Sequence, residues 1–383
     1  MDLTSRSKPF FGAEQNRSPF LLSIDVVPRI YALLTLFYCS LAFHSDAQSI
    51  SAQASHTMTN SLRVTGNRFA TNLIRTNARP LYACIPAPGG GSWGDQDQTD
   101  PEDAFNRVFR SGIAGQLVSY LVSLPENYET SPQMRYPVIY YLHGMGSNHR
   151  SALQFIHRIR SAVRDGRMRA TIVVGVNGLP NSWFCDSADG RWPSESVIIR
   201  ELIPFIDHSY RTIPFRSGRA LEGFSMGGFG VIHLGFKYPE MFGALSSLGG
   251  PLLDSEFVAT NPHESTRQIF NEVFGRNRDL CRANCPMNLL LQNAARVRNG
   301  TAVRIWIGEE DQNLDSNKAF RDRMKQFQVP CFFASFPGVG HNPNPMYEER
   351  GDEAFEFYEK AFAASDPYLK ALMARTAAVA APK

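Results

Sequence analysis

The stretch Leu221-Glu222-Gly223-Phe224-Ser225-Met226-Gly227-Gly228-Phe229-Gly230 decides how the rest of the chain is read. It contains a G-x-S-x-G pattern centred on Ser225. The short Arg219-Ala220-Leu221 before it has the character of a strand end. The residues after it, Val231 to Tyr238, are apolar at helical spacing and stop at Pro239. Strand, sharp turn and helix is the context in which such a pattern becomes a nucleophile elbow. Gly223 and Gly227 would let two backbones pass where any Cβ would collide. The turn strains Ser225 but lifts its hydroxyl above the sheet, at a helix N-terminus whose free N–H groups can hold a developing anion. The same five residues also arise by chance in glycine-rich turns, so the rest of the chain must decide.

A length of 383 residues allows one large domain or two ordinary ones. At 43% hydrophobic and 20% charged, the composition is that of a soluble globular protein. The net charge of +3, without a long basic run, argues against nucleic-acid binding. The cysteines are Cys39, Cys84, Cys185, Cys281, Cys285 and Cys331. No C-x-x-C pair or zinc-finger histidine spacing accompanies them, so no metal site is expected. Cys281 and Cys285 can form a small disulfide loop or remain two thiols on one helix face.

Ile30 to Phe43 is an apolar run preceded by Arg29 and followed by small and polar residues through Ala47, Ala52 and Ala54. It is too short for a comfortable membrane span and suits a signal-peptide core. The reading is therefore a secreted or periplasmic protein with no stable membrane span. A short membrane anchor, or a buried element of a cytoplasmic protein, is the alternative. Residues 1–55 are read as signal or anchor and linker, 56–105 as a poorly ordered extension, 106–363 as the catalytic domain and 364–383 as a C-terminal tail.

From Arg107 onward, regular patterns alternate. Val108–Arg110 and Gln116–Pro125 read as strands, and Pro137–Leu142 and Ala170–Val176 as strands buried on both faces. Ala220–Leu221, Ala244–Leu248, Val303–Ile307 and Cys331–Phe336 continue the set. Helical patterns run over His149–Val163, Glu195–Asp207, the elbow helix and Glu353–Phe362. Strands alternating with helices predict an α/β fold, a mostly parallel central sheet with helices on both faces and an antiparallel edge from the first hairpin. No internal repeat is visible. About 251–302 is a polar insertion with two helices, Glu264–Phe274 and Met287–Val297. Such an insertion sits over the strand ends where ligands bind, or else is a solvent-facing decoration.

A serine hydroxyl is a weak nucleophile and needs a base, which in turn needs an orienting acid. After a nucleophile elbow these follow in the order acid, then histidine. Three histidines follow Ser225. His233 lies on the elbow helix and points away, and His263 is in the insertion. His341 lies in the glycine-rich loop after a buried strand, where a catalytic base belongs. Trp306–Leu314 supplies three neighbouring carboxylates. Asp311 fits the turn leaving the strand, with Glu310 and Glu309 as alternatives. The oxyanion needs two N–H donors. Met226, after the nucleophile, provides one; Met145, in Leu142-His143-Gly144-Met145-Gly146-Ser147-Asn148, provides the other. His143 is read as structural.

Several ordered motifs then carry a likeness: Tyr136-Pro-Val-Ile-Tyr-Tyr-Leu-His-Gly144, Asn181-Ser-Trp-Phe-Cys-Asp-Ser187, Glu201-Leu-Ile-Pro-Phe-Ile-Asp-His-Ser-Tyr-Arg-Thr212, Gly223-Phe-Ser-Met-Gly-Gly228, Lys237-Tyr-Pro-Glu-Met-Phe-Gly-Ala244 and Gly308-Glu-Glu-Asp311. From Val108 to Phe362 the chain resembles the esterase D / antigen 85-like esterase family, which includes feruloyl and acetylxylan esterases, S-formylglutathione hydrolase and mycolyltransferases. The insertion around Cys281 and Cys285, expected over the site from its place in an α/β fold, has no match in this family. The resemblance implies an α/β-hydrolase fold. It implies Ser225 as nucleophile, His341 as base, Asp311 as acid and the Met145 and Met226 N–H groups as oxyanion donors. It also implies that Gly144 and Asn181-Ser182-Trp183 line the substrate cleft. Many relatives follow the histidine with an acidic residue and an aromatic; here Asn342-Pro343-Asn344-Pro345 follows.

The expectation is a cofactor-independent serine esterase acting on a small-molecule or carbohydrate-linked ester, feruloyl, acetyl or similar. Transfer of the acyl group to a sugar or alcohol is the first alternative. A non-catalytic binding protein is the second, and the intact Ser, Asp and His order argues against it.

Overall fold

The first two strands pair as a hairpin: β1 (Phe105–Arg110) and β2 (Leu117–Ser123) run antiparallel, as expected from their partial alternation. The apolar runs behind them become β3 (Val138–Leu142) and β4 (Ile172–Val176), whose residues are almost all buried. No alternation is needed in these strands, because helices cover both faces. In the computed structural model the described residues are 91–371, apart from 96, 98, 365, 368 and 369. All of them belong to one unit, Arg79–Lys383. The apolar run at 30–43, Cys39, Cys84 and the end of the tail lie outside the described residues.

The sheet is completed by β5 (Arg219–Phe224), β6 (Ala244–Leu248), β7 (Ala302–Gly308) and β8 (Phe332–Phe336). Its order is β1-β2-β4-β3-β5-β6-β7-β8. β2 meets β4 antiparallel; from β4 to β8 every pairing is parallel. This is a mostly parallel α/β-hydrolase sheet with an antiparallel edge.

One face of the sheet carries α1 (Leu153–Arg164), with Phe155, Ile156 and Ile159 buried against it. On the other face lies α2 (Met226–Lys237), the elbow helix. Every residue of α2 but Lys237 is buried, so it has no solvent-facing stripe. The insertion closes over it: α3 (Ser255–Thr260) and α4 (Arg278–Asn284) precede α5 (Pro286–Arg298), and α5 packs along α2. The two expected insertion helices are present, the first as a helical run Glu264–Gln268 continued by a π turn Ile269–Val273. The short α3 and α4 are additional. They are nucleated by caps rather than by apolar spacing: Asp254 accepts from Phe257 N–H at 2.8 Å and Asn277 from Leu280 N–H at 3.0 Å. The earlier part of the insertion also meets the 186–190 loop, where Ala188 N–H donates to Val273 O at 2.7 Å.

Two further helices depart from the sequence reading. α6 (Leu314–Gln326) was not expected, because its face is strongly polar and only Asn317, Phe320 and Met324 are buried. The closing helix α7 runs from Pro343 to Ala363 rather than starting at Glu353. Asn342 caps it, accepting from Asn344 N–H at 3.0 Å, and Pro343 suits a first helical turn. Non-helical angles at Arg350 kink α7 into two parts. In the insertion, Cys281 and Cys285 are two buried thiols with sulfurs 3.5 Å apart.

Of the extension at 56–105, the described residues 91–104 run against the domain. Trp93 is buried, and its carbonyl accepts from Ser119 N–H at 2.7 Å and from Asn177 Nδ2 at 2.9 Å. Arg150 donates from Nε to Asp95 Oδ2 at 2.5 Å and from Nη2 to the carbonyls of Asp97 and Thr99. Among the described residues, no helix is long and apolar enough to cross a membrane.

His143 is fully buried at the end of β3. Its Nδ1 donates to Gly144 O at 2.9 Å, and its Nε2 accepts from Gly178 N–H at 3.2 Å. The ring therefore sits neutral, stapling the 144–147 loop to the 177–183 loop. Burial lowers its pKa to about 4. Above the unfolded value near 6.5 both states are neutral and stability is complete. As the pH falls from there towards 4, only the unfolded chain gains this proton, and stability drops. His149 shifts in the same direction, again mainly through burial. Replacing His143 by Gln should flatten the pH dependence: between pH 7 and 4 the stability advantage of the natural protein over His143→Gln should shrink by up to about 3 kcal/mol in urea unfolding. An unchanged difference would refute this account.

Candidate active site

Ser225 connects β5 to α2 with φ 58° and ψ −119°, a conformation costly for a residue with a Cβ. Its N–H donates to Leu248 O at 2.9 Å. The elbow crosses β3 at the limit of approach: a Cβ at Gly227 would lie 2.0 Å from Leu142 O. Only glycine permits that crossing.

His341 stands in the loop between β8 and α7. Its Nε2 is 2.8 Å from Ser225 Oγ, and its Nδ1 is 2.7 Å from Asp311 Oδ2. Asp311 is 4% exposed, and its other oxygen accepts from Asn313 N–H at 2.8 Å. Since the carboxylate can only accept, it fixes the imidazole with Nδ1 protonated and Nε2 free to take a proton from the serine. Glu309 and Glu310, the alternative acids, are exposed. Glu309 accepts instead from Ser335 Oγ at 2.8 Å, and Glu310 N–H donates to Val339 O at 3.0 Å. That last bond joins the acid turn to the histidine loop.

The 144–147 loop lies against the serine, since a Cβ at Gly144 would come 3.7 Å from Ser225 Cβ. Gly146 N–H donates to Pro180 O at 2.9 Å, which ties this loop to the one beyond β4. Among the described residues, neither Met145 N–H nor Met226 N–H has a protein acceptor. Met226 opens the elbow helix, where backbone donors and the helix dipole favour negative charge.

The cleft residues are placed unevenly. Trp183 is buried, with φ 57°, and meets the Phe229 ring of α2 edge-on at 5.2 Å. Buried atoms with no hydrogen-bond partner include Trp183 Nε1 and Asn181 Oδ1. Ser182, in contrast, is turned inward: its Oγ donates to Gly178 O and accepts from Phe184 N–H at 3.0 Å. It holds its own turn and has no hydroxyl to offer a ligand. His233 is fully buried, 2.8 Å from Glu195 and 3.1 Å from Asn284 O, far along α2 from the serine. His263 is exposed.

Three neighbours of the site were not singled out in the sequence. The Phe224 ring lies 4.6 Å from the His341 ring. Gly249, at φ 57°, passes so close that a Cβ there would be 3.1 Å from Asp311 Oδ2 and 3.4 Å from His341 Cε1. Asn313 Nδ2 donates to Gly249 O at 3.0 Å. The Gly249-Gly250 pair after a buried strand was the available signal, for paired glycines there mark a close backbone approach.

A model of the family described as "Putative esterase" matches residues 111–364. An esterase of Mycobacterium tuberculosis is 32% identical over 162 residues, 41% of this chain and 34% of that protein. An endo-1,4-beta-xylanase/feruloyl esterase of Xylanibacter ruminicola is 35% identical over 152 residues, 37% of this chain and 21% of that protein. The chain thus spans about a third or less of the length of these relatives. Among solved structures, a ferulic acid esterase covers 68% of this chain and 98% of its own at 24% identity and TM-score 0.57. An S-formylglutathione hydrolase from Agrobacterium tumefaciens covers 70% and 99% at 16% identity and TM-score 0.56. At those identities the two structures speak for the fold. The match over most of the chain's described part speaks for more: the chain belongs to the "Putative esterase" family.

Proposed function

We propose that this protein is a serine carboxylic-ester hydrolase working through an acyl-enzyme. The observation that carries the reading is the unbroken line from Asp311 Oδ2 through the two nitrogens of His341 to Ser225 Oγ, with steps of 2.7 and 2.8 Å. Ser225 Oγ attacks the ester carbonyl carbon while His341 Nε2 takes the hydroxyl proton. The buried Asp311 carboxylate holds the ring and stabilises the imidazolium that results. The carbonyl oxygen becomes an anion facing the Met145 and Met226 N–H groups. Loss of one such donor costs about 3–4 kcal/mol of barrier. Collapse expels the alcohol, which takes the proton from His341. Water, activated by the same histidine, then releases the acid and frees the serine. No cofactor enters this chemistry.

The names of the xylanase/feruloyl esterase relative and of the ferulic acid esterase neighbour favour feruloyl or related acyl esters as first substrates to try. The Phe224 ring and the exposed Met145 offer apolar surface beside the serine for such a group. The apolar run at 30–43 favours an exported enzyme acting on small or carbohydrate-linked esters.

The purified protein should hydrolyse short-chain aryl esters, and a panel of acetyl, feruloyl, longer acyl and thioester substrates should rank its acyl preference. Ser225→Ala should abolish turnover with an unchanged melting temperature; equal activity in that variant sinks the assignment. Asp311→Asn should leave KM close to the natural value and lower kcat by about 10^3–10^4, because the amide turns the imidazole to the wrong tautomer. If Asp311→Asn were fully active and Glu310→Gln were not, the acid would have to be reassigned.

A further inference from the structure

Beneath the site lies a buried polar group that the proposed chemistry does not use. Glu222 on β5, Ser246 on β6 and Arg304 on β7 stand in register across three adjacent strands. All three are essentially inaccessible to solvent. Arg304 donates from Nη2 to Glu222 Oε2 at 3.1 Å and to Ser246 Oγ at 2.7 Å. Two tyrosines reach down from α7. The Tyr347 hydroxyl donates to Glu222 Oε1, the Tyr358 hydroxyl to Glu222 Oε2, and Arg304 Nη2 reaches Tyr347 Oη at 3.2 Å.

A buried ion pair of this kind is weak evidence for stability, since apolar replacements of similar volume often fold as well. Its position gives it another use. Glu222 is on β5, three residues before Ser225. Arg304 is on the strand that leads to Asp311. Tyr347 lies one helical turn beyond the start of α7, just after His341. The kink at Arg350 separates the two tyrosines: Tyr347 belongs to the short part that follows the His341 loop, and Tyr358 to the part beyond. The His341 end of α7 has a second tie, Arg158 Nη2 to Asn344 Oδ1 at 2.8 Å, but that leads to α1, not to the nucleophile's strand.

We propose that Tyr347, Glu222 and Arg304 are positioning residues that hold the His341 segment in register with the Ser225 strand. They touch no reacting atom. Through them, the separation between imidazole and serine is set by a bond between side chains three and six residues away from the two groups. This rests on the hydrolase reading above.

The test compares Tyr347→Phe with Tyr358→Phe. Each removes one phenol from the same carboxylate, on opposite sides of the kink. Tyr347→Phe should lower kcat about tenfold or more with KM within about twofold, the signature of a misplaced catalytic group rather than weakened binding. It should slow phosphonylation of Ser225 by an aryl fluorophosphonate to the same extent. Tyr358→Phe should lower the melting temperature but keep kcat within about twofold of the natural protein. Glu222→Gln should reproduce the kcat loss, and the double variant Glu222→Gln with Tyr347→Phe should lose no more than the larger single effect, as expected for groups acting as one unit. Equal kcat losses in the two tyrosine variants, or none in Tyr347→Phe, overturn the positioning role while leaving the hydrolase intact. A natural protein inert to both esters and fluorophosphonate overturns the hydrolase reading, and the positioning role with it.

Discussion

The structure depends on one crossing of chains. At Gly227 the elbow passes the end of β3 with no room for a single methyl group, and the neighbouring Ser225 is held at a positive φ by that passage. Strain of this kind persists only where the surroundings over-determine it. Here they do so from three sides. Ser225 N–H is bonded to the end of β6, β5 is paired on both edges, and α2 is buried along almost its whole length. Ser225 is thus not placed by its own preferences. It is placed by a sheet and a helix that would both have to move before the serine could relax.

The other half of the site is built differently. Asp311 and His341 sit in loops, and loops need outside reference points to hold a hydrogen-bond geometry. Gly249 supplies one by lying against both side chains, and Glu310 N–H, bonded to Val339 O, stitches the two loops together. The 144–147 loop is fixed in turn by His143 and by Pro180, and the 177–183 loop by the Trp93 carbonyl through Asn177. Strand ends with mutually braced loops hold these groups in place, the preorganisation that the proposed stabilisation of an oxyanion requires.

Much of this was legible in the sequence, for reasons that differ by element. β3 and β4 announce themselves because a strand covered on both faces must be apolar throughout. Ser225, His341 and Asp311, which the fold brings within hydrogen-bond reach of one another, could be singled out because the proposed chemistry restricts residue type, order and strand-end placement at once. What was hidden is whatever depends on contacts distant in sequence. α6 has too few buried residues to show a period. The start of α7 was masked by two prolines that belong to a first helical turn. The inward turn of Ser182 depends on Gly178 and Phe184 and cannot be seen from its hydroxyl alone. Gly249 and Phe224 carry no reactive group, so their closeness to the site emerges only when β5 and β6 lie side by side.

The apolar elbow helix has a consequence for how such a chain can change over time. Because α2 presents no polar face, the surface it turns away from the sheet must be covered, and α5 of the insertion covers it. Glu195, Lys237 and Asn284 tie the same seam with hydrogen bonds. The insertion is therefore not an ornament that can be trimmed or exchanged between relatives like a surface loop. α3 and the run at Glu264–Val273 also bury Val258, Ile269 and Val273 in the core, while α5 is committed to the helix that follows Ser225. Change in α5 is therefore felt along that helix, whereas exposed positions such as Phe257 and Leu291 face solvent.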